Sequence, residues 1–172
     1  MLRLVVLVGL FSLTIMAGAG SSDPKAAVED FFQVLKAEKY QAIYSYLPAE
    51  MHDEISVEGL KEVMRPLFSY LHLERMEVGR VQQKGNFAVI DTTIYGKLSA
   101  KLSKAPANGP QEAKIAVQQY LLKENGKWKI ATSTNRSRAI LIKKHPEFKK
   151  DFVFSPPRVF VRQNGQWVAT GI

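Results

Sequence analysis

The chain of 172 residues contains no cysteine. Disulfides, thiolate nucleophiles, cysteine-ligated zinc and a lipid-anchored lipoprotein cleavage site are all excluded by that one absence. Histidine is scarce as well, with only His52, His72 and His145, none near another. A structural zinc site falls with that count, and no metal or cofactor is expected. His52-Asp53-Glu54, together with Glu50, is the densest ligand-like run. Its spacing matches no zinc or calcium loop, so it reads as an exposed acidic loop. There is no Gly-x-Ser-x-Gly elbow and no glycine-rich phosphate loop, and the sole Gly-x-Gly is Gly18 and Gly20 near the start. No helix-turn-helix or zinc-finger pattern is present, which argues against nucleic acid as a partner.

Long apolar runs are missing too, with one short exception. Arg3 precedes an apolar stretch from Leu4 to Met16, and Ala17-Gly18-Ala19 follows with small residues. That stretch is shorter than the roughly 20 residues of a comfortable bilayer span. Residues 1–19 therefore read as a cleaved export signal in preference to a retained anchor. An exported chain without cysteine fits a periplasmic or secreted protein of bacterial type. About 150 residues remain after the leader, which suits one core able to stand without disulfide staples.

Charge is unevenly placed along the chain. The whole carries a formal +8, and residues 134–172 hold eight basic and two acidic residues. Arg136, Arg138, Lys143, Lys144, Lys149 and Lys150 are the candidates for holding an anionic lipid or glycan surface. A solvated, solubilising face is the plainer reading of the same residues.

Hydrophobic spacing divides the chain into helices and then strands. Asp23 and Pro24 mark a helix start, with Ala27, Val28, Phe31, Phe32 and Leu35 on one face. A short helix is expected from Tyr40 to Leu47, a loop over 48–55, and a helix capped by Ser56. Pro66 predicts a kink or restart in that third helix. Strands are expected over 73–82 and 86–98, then a loop over 99–111, then a strand over 112–123. Asn125-Gly126 and Asn164-Gly165 are hairpin turn signals, each followed by a tryptophan, Trp128 and Trp167. Between those hairpins, residues 136–152 read as helix in two pieces broken at His145-Pro146. The predicted class is α+β, with N-terminal helices packed on a curved antiparallel sheet. Its predicted divisions are a leader (1–19), a domain (20–133), and a basic helix-plus-hairpin extension (134–172) packed on that domain.

Ala26-Ala27-Val28-Glu29-Asp30-Phe31-Phe32 with Tyr40-Gln41-Ala42-Ile43-Tyr44-Ser45-Tyr46-Leu47 resembles the opening helix pair of small exported NTF2-like domains. Leu122-Lys123-Glu124-Asn125-Gly126-Lys127-Trp128-Lys129-Ile130 is similar to their closing hairpin. The resemblance covers about residues 25–133 and is to the NTF2-like superfamily, the cystatin-like α+β fold. It implies a sheet curved around a helix, leaving a conical cavity that some members use and others fill. Isomerases, dehydratases and epoxide hydrolases occur there beside transport factors and exported domains without known chemistry. The catalytic members place an Asp, a His or a Tyr inside the cone.

Three residues are weak catalytic candidates. Asp91 stands mid-strand among apolar neighbours, where burial would make it a base near neutral pH. The competing reading turns it outward, alternating with Ile90 and Ile94. His72 sits at a helix-to-strand junction as a base or a cap, and Tyr44 would be a partner in the cone. Tyr40, Tyr44, Tyr95, Tyr120 and Trp128 are candidates to line an aromatic pocket, or else to fill it as core. His145 is expected to face solvent. The function expected is a non-catalytic module holding a small apolar ligand or an envelope partner, with an isomerase-like or hydrolase-like enzyme as the alternative. A homodimer stays open as the assembly.

Overall fold

The computed structural model describes residues 20–99, 111–131 and 134–170. The expected leader lies outside the described residues, as does most of the loop expected over 99–111. The chain is an α+β fold in which helices pack on a curved six-stranded antiparallel sheet.

Helix α1 (Pro24–Lys36) starts where the sequence places it, with the Asp23 carboxylate accepting from the Ala26 N–H at 2.7 Å. Its periodic face, Ala27, Val28, Phe31, Phe32 and Leu35, is buried against the sheet. Helix α2 (Tyr40–Tyr46) follows after a left-handed Glu38. The expected 48–55 loop contains a one-turn helix, α3 (Ala49–His52), which has no side-chain cap and so no sequence signal. In α4 (Val57–Tyr70) the Ser56 hydroxyl accepts from the Gly59 N–H at 3.1 Å. The expected restart at Pro66 does not occur, and the helix runs through it. Pro66 gives up the backbone bond to the Glu62 carbonyl, and both residues are exposed, so water can satisfy that carbonyl.

Strand β1 (Leu71–Lys84) begins where α4 ends and pairs with β2 (Phe87–Leu98) through a turn at a left-handed Gly85. Gly96 is required there by packing, because a Cβ at this position would sit 2.3 Å from the His72 carbonyl oxygen. Strand β3 (Glu112–Glu124) pairs with β2 along its length and turns at Asn125-Gly126 into β4 (Lys127–Ile130). Both turn residues have positive φ, 49° and 77°, as a two-residue hairpin of this hand demands. Helices α5 (Asn135–Lys144) and α6 (Pro146–Asp151) are separated at His145, which ends one and begins the other. Strands β5 (Arg158–Gln163) and β6 (Gln166–Thr170) close the chain, turning at Asn164-Gly165.

The sheet order is β1-β2-β3-β5-β6, with β4 also on β3. One edge of β3 is therefore shared. Its Leu121–Glu124 end pairs with β4, and its Ala113–Ala116 end pairs with β5. The positions between are bridged by a side chain. Gln118 accepts from the Ser155 N–H at 2.8 Å and donates to the Val153 carbonyl at 3.4 Å. At the other end Trp128 is fully buried, its indole N–H donating to the Ser22 carbonyl at 3.0 Å. Among the described residues no helix is long and apolar enough to cross a membrane.

Candidate functional site

Strand alternation gives the sheet two different faces. Ile90, Thr92 and Ile94 of β2 point to the helix side, and their register partners on β3 are Gln119, Val117 and Ile115. The α4 side chains at helical spacing, Leu60, Val63, Met64 and Leu67, come down opposite Ile94, Ile115 and Val117. Between these two walls lies a cavity of about 440 Å³. Phe31 and Leu35 of α1, Leu47, Met51 and Ile55 close one side, and Ala131, Ile140 and Pro157 another. Val63 is 64% exposed and Leu67 36%, so the cavity opens to solvent beside α4. That explains why a helix with a full apolar stripe buries so little of it: the stripe faces open space.

Polar groups gather at two points of the lining. At the floor, Gln119 Nε2 donates to the Thr92 hydroxyl at 3.2 Å, which in turn donates to the Val117 carbonyl at 2.9 Å. At the rim, Thr134, Ser137, Arg136 and Glu54 line the wall, with Arg136 3.4 Å from the Glu54 carboxylate. Glu54 and Arg136 are the two ionisable residues of the lining, and they are paired with each other. The surface offered to an occupant is aliphatic, and a charged pair marks its mouth.

None of the five expected pocket aromatics lines this cavity. Tyr95, Tyr120 and Trp128 occupy other places for reasons of strand parity and core packing. Tyr120 shares the opposite face of the sheet with Gln118 and is buried against Phe148 and Phe154. Burial pushes its phenol above the usual range, though the nearby Arg138 opposes this. Tyr95, also on that face, donates to Glu77 at 2.8 Å, which pushes its phenol up. Trp128 is core. Tyr40 packs edge-on against Phe68, and Tyr44 stacks on His52 with ring centroids 4.3 Å apart.

The acid–base candidates do not converge. Asp91 takes the outward reading: it lies on the face away from the cavity, 39% exposed, paired with Arg80 at 3.4 Å and Gln118 at 3.0 Å. His72 is exposed on β1 opposite Lys97, and Tyr44 points to His52. The His52-Asp53-Glu54 run splits three ways, to the Tyr44 carbonyl, Lys144 and Arg136 respectively. His145 does not face solvent. It is 26% exposed, with Nε2 3.0 Å from Glu50 and Nδ1 3.7 Å from Glu147.

The basic residues of the C-terminal part are dispersed. Arg136 and Lys144 pair with Glu54 and Asp53, and Arg138 lies over Phe154 and bonds Asn135. Lys143, Lys149 and Lys150 are exposed. Signals for the actual cavity were present as the α4 stripe and the alternating Ile94, Ile115 and Val117, but nothing local says that these two stripes stand apart.

A family model described as an NTF2-like N-terminal transpeptidase domain matches residues 23–136. The chain belongs to this family. Its match takes in α1 to β4 and the first two residues of α5, and so includes every residue of the cavity lining except Ser137, Ile140 and Pro157. Among solved structures, the chain is similar to a SEC-C motif containing protein from Rhodopseudomonas palustris, at 12% identity and a TM-score of 0.45, over 64% of this chain and 77% of that one. No curated protein matches the sequence.

Proposed function

We propose that this NTF2-like chain is an exported, non-catalytic binding module that takes a small apolar ligand in the cavity beneath α4. The single observation that carries the reading is the lining: about 440 Å³ of space walled by aliphatic side chains, with the only ionisable pair at the rim. An apolar ligand gains there by leaving water, at about 25 cal/mol for each Å² of apolar surface removed. The competing enzyme reading has less to work with: Asp91, His72 and Tyr44 all lie elsewhere, and the one carboxylate of the described lining, Glu54, is paired with Arg136 at the rim. Membership in a family described by transpeptidases supports a place in the cell envelope, with this chain as a holder or spacer beside the chemistry. The apolar leader of residues 1–19 supports the same location.

Titration of the protein with a neutral apolar fluorophore, Nile red, tests the reading. The wild type is expected to bind with saturable, blue-shifted emission. Val117→Phe, which fills the cavity from its sheet wall, is expected to weaken binding at least tenfold while its circular dichroism and thermal transition persist. Equal binding by the folded variant, or none by the wild type, overturns the proposal.

A further inference from the structure

The sheet face turned away from the cavity carries a second organised surface, at the end nearest Glu112. Register places Arg75, Tyr95, Lys114, Phe160 and Ala169 across it in one row, strand by strand from β1 to β6. Arg158 and Arg162 stand two residues to either side of Phe160 on β5, and Trp167 pairs with Arg162 from β6. The aromatic rings here hold cations. The Arg75 guanidinium lies 3.5 Å from the Tyr95 centroid, and the Lys114 ammonium lies 5.1 Å from Phe160 and 4.7 Å from Trp167. Arg158 approaches Phe160 at 5.9 Å and Arg162 approaches Trp167 at 6.0 Å.

Such packing fixes long side chains that would otherwise sample many rotamers, and so lowers the entropy lost when an anion binds them. At this end of the face three carboxylates are each paired with a cation, Glu74 with Lys97 at 2.6 Å, Glu77 with Arg75, and Glu112 with Arg162 at 2.6 Å. Lys114 and Arg158 form no ion pair among the described residues. Arg75, Lys97, Lys114, Arg158 and Arg162 outnumber these three carboxylates, so the array is net positive, and Lys114 lies on its middle strand. Adjacent strands lie about 4.8 Å apart, so Arg75, Lys114 and the β5 arginines span about three such steps.

We propose that this face binds a linear acidic polysaccharide. Several cations held along a line across strands match a polymer with repeated carboxylates better than one isolated anion. Tyr95, Phe160 and Trp167 are all half-buried with cations packed on them, so the rings are engaged within the surface and are not displayed as a platform for stacking nucleic-acid bases. None of the three rings projects as an exposed apolar anchor for a bilayer. Recognition by charge on a flat surface, without insertion or stacking, leaves a hydrated polyanion as the fitting partner.

The test uses the full chain and polygalacturonate as probe, with binding followed by titration at low and at moderate salt. Wild-type protein is expected to bind and to lose affinity steeply as salt rises. The double variant Lys114→Gln, Arg158→Gln keeps long side chains and is expected to bind at least tenfold more weakly. Lys149→Gln with Lys150→Gln, on α6, is expected to stay within twofold of wild type. Absence of binding at low salt overturns the proposal, as does equal loss in the α6 variant. A preference for vesicles containing anionic phospholipid, or for a single-stranded oligonucleotide, over polygalacturonate would overturn it in favour of those surfaces.

Discussion

Across the β2–β3 ladder Asp91 and Gln118 stand as register partners, and the Gln118 amide donates to the Asp91 carboxylate at 3.0 Å. The same amide oxygen receives the Ser155 N–H. One glutamine thus satisfies a strand carboxylate and the backbone of the segment that follows α6. The carboxylate is a fastening, and its role is on the outside of the sheet.

Gln118→Ala is therefore expected to destabilise the protein by about 1–3 kcal/mol, because it leaves partly buried groups without partners. Hydrogen exchange should accelerate at Ser155 and its neighbours before it does elsewhere. Asp91→Asn should change stability by less than about 1 kcal/mol, since its Arg80 pair is solvent-exposed. Chemical denaturation of both variants gives the comparison. A larger loss for Asp91→Asn than for Gln118→Ala would reverse the assignment.

Trp128 joins the residues before α1 to the sheet. Its backbone N–H donates to Ser21 at 2.8 Å and its indole to Ser22 at 3.0 Å. Trp128→Ala is expected to cost about 3–5 kcal/mol, in the range of large-to-small changes in a core. Deleting residues 20–22 should lower the thermal midpoint and make Trp128 fluorescence more accessible to quencher, while the α1 cap at Asp23 persists.

Gly96→Ala tests the close approach of β1 and β2. With the His72 carbonyl 2.3 Å from the new methyl carbon, backbone must move, and a loss of about 1–3 kcal/mol is expected. Thermal unfolding measures it, and an unchanged midpoint would show that the ladder widens there freely.

Alkaline stability should depend on Tyr120. Its phenol titrates higher when folded than when unfolded, so above about pH 10 the unfolded chain holds fewer protons. By linkage, the stability from keeping Tyr120 protonated is complete below that pH and lost as the pH rises through its folded value. Tyr120→Phe should flatten the fall in stability as the pH rises above the unfolded value of about 10. Equal slopes in variant and wild type would remove Tyr120 from the effect.

Much of the architecture was readable because it is written locally. Asn125-Gly126 and Asn164-Gly165 determine their turns through backbone conformations few other pairs adopt, and Asp23 and Ser56 cap the helices they precede. The cavity was less readable. Phe87 to Ile90 are buried in unbroken succession, because helices cover one face of β2 and the α6 region covers the other. Alternation loses its contrast over that stretch and returns only from Asp91 onward, where Asp91 turns out and Thr92 and Ile94 turn in. Of the aromatic candidates, Tyr95 and Tyr120 stand on the sheet face away from the cavity, whereas Tyr40 and Tyr44 belong to α2 and Trp128 to the core. The family resemblance implies a conical cavity, and in the structure the apolar stripe of α4 forms its open wall.

The shared edge of β3 has a consequence for how the chain assembles. Strand β4 closes on β3 through a two-residue turn, a contact that costs little chain entropy to form. Strand β5 must reach the same edge from far along the chain, with Ala113 opposite Val161, and it can register only after α5 and α6 have been laid down. The β3–β4 hairpin is thus available early, whereas the final hairpin completes the ledge late. Because the acidic-polymer array straddles β3 and β5, its cations come into line only with that last docking step. The polyanion face is then a readout of finished folding: a chain that stops short of docking β5 has the cavity walls of β2 and β3 but presents no ordered row of charge.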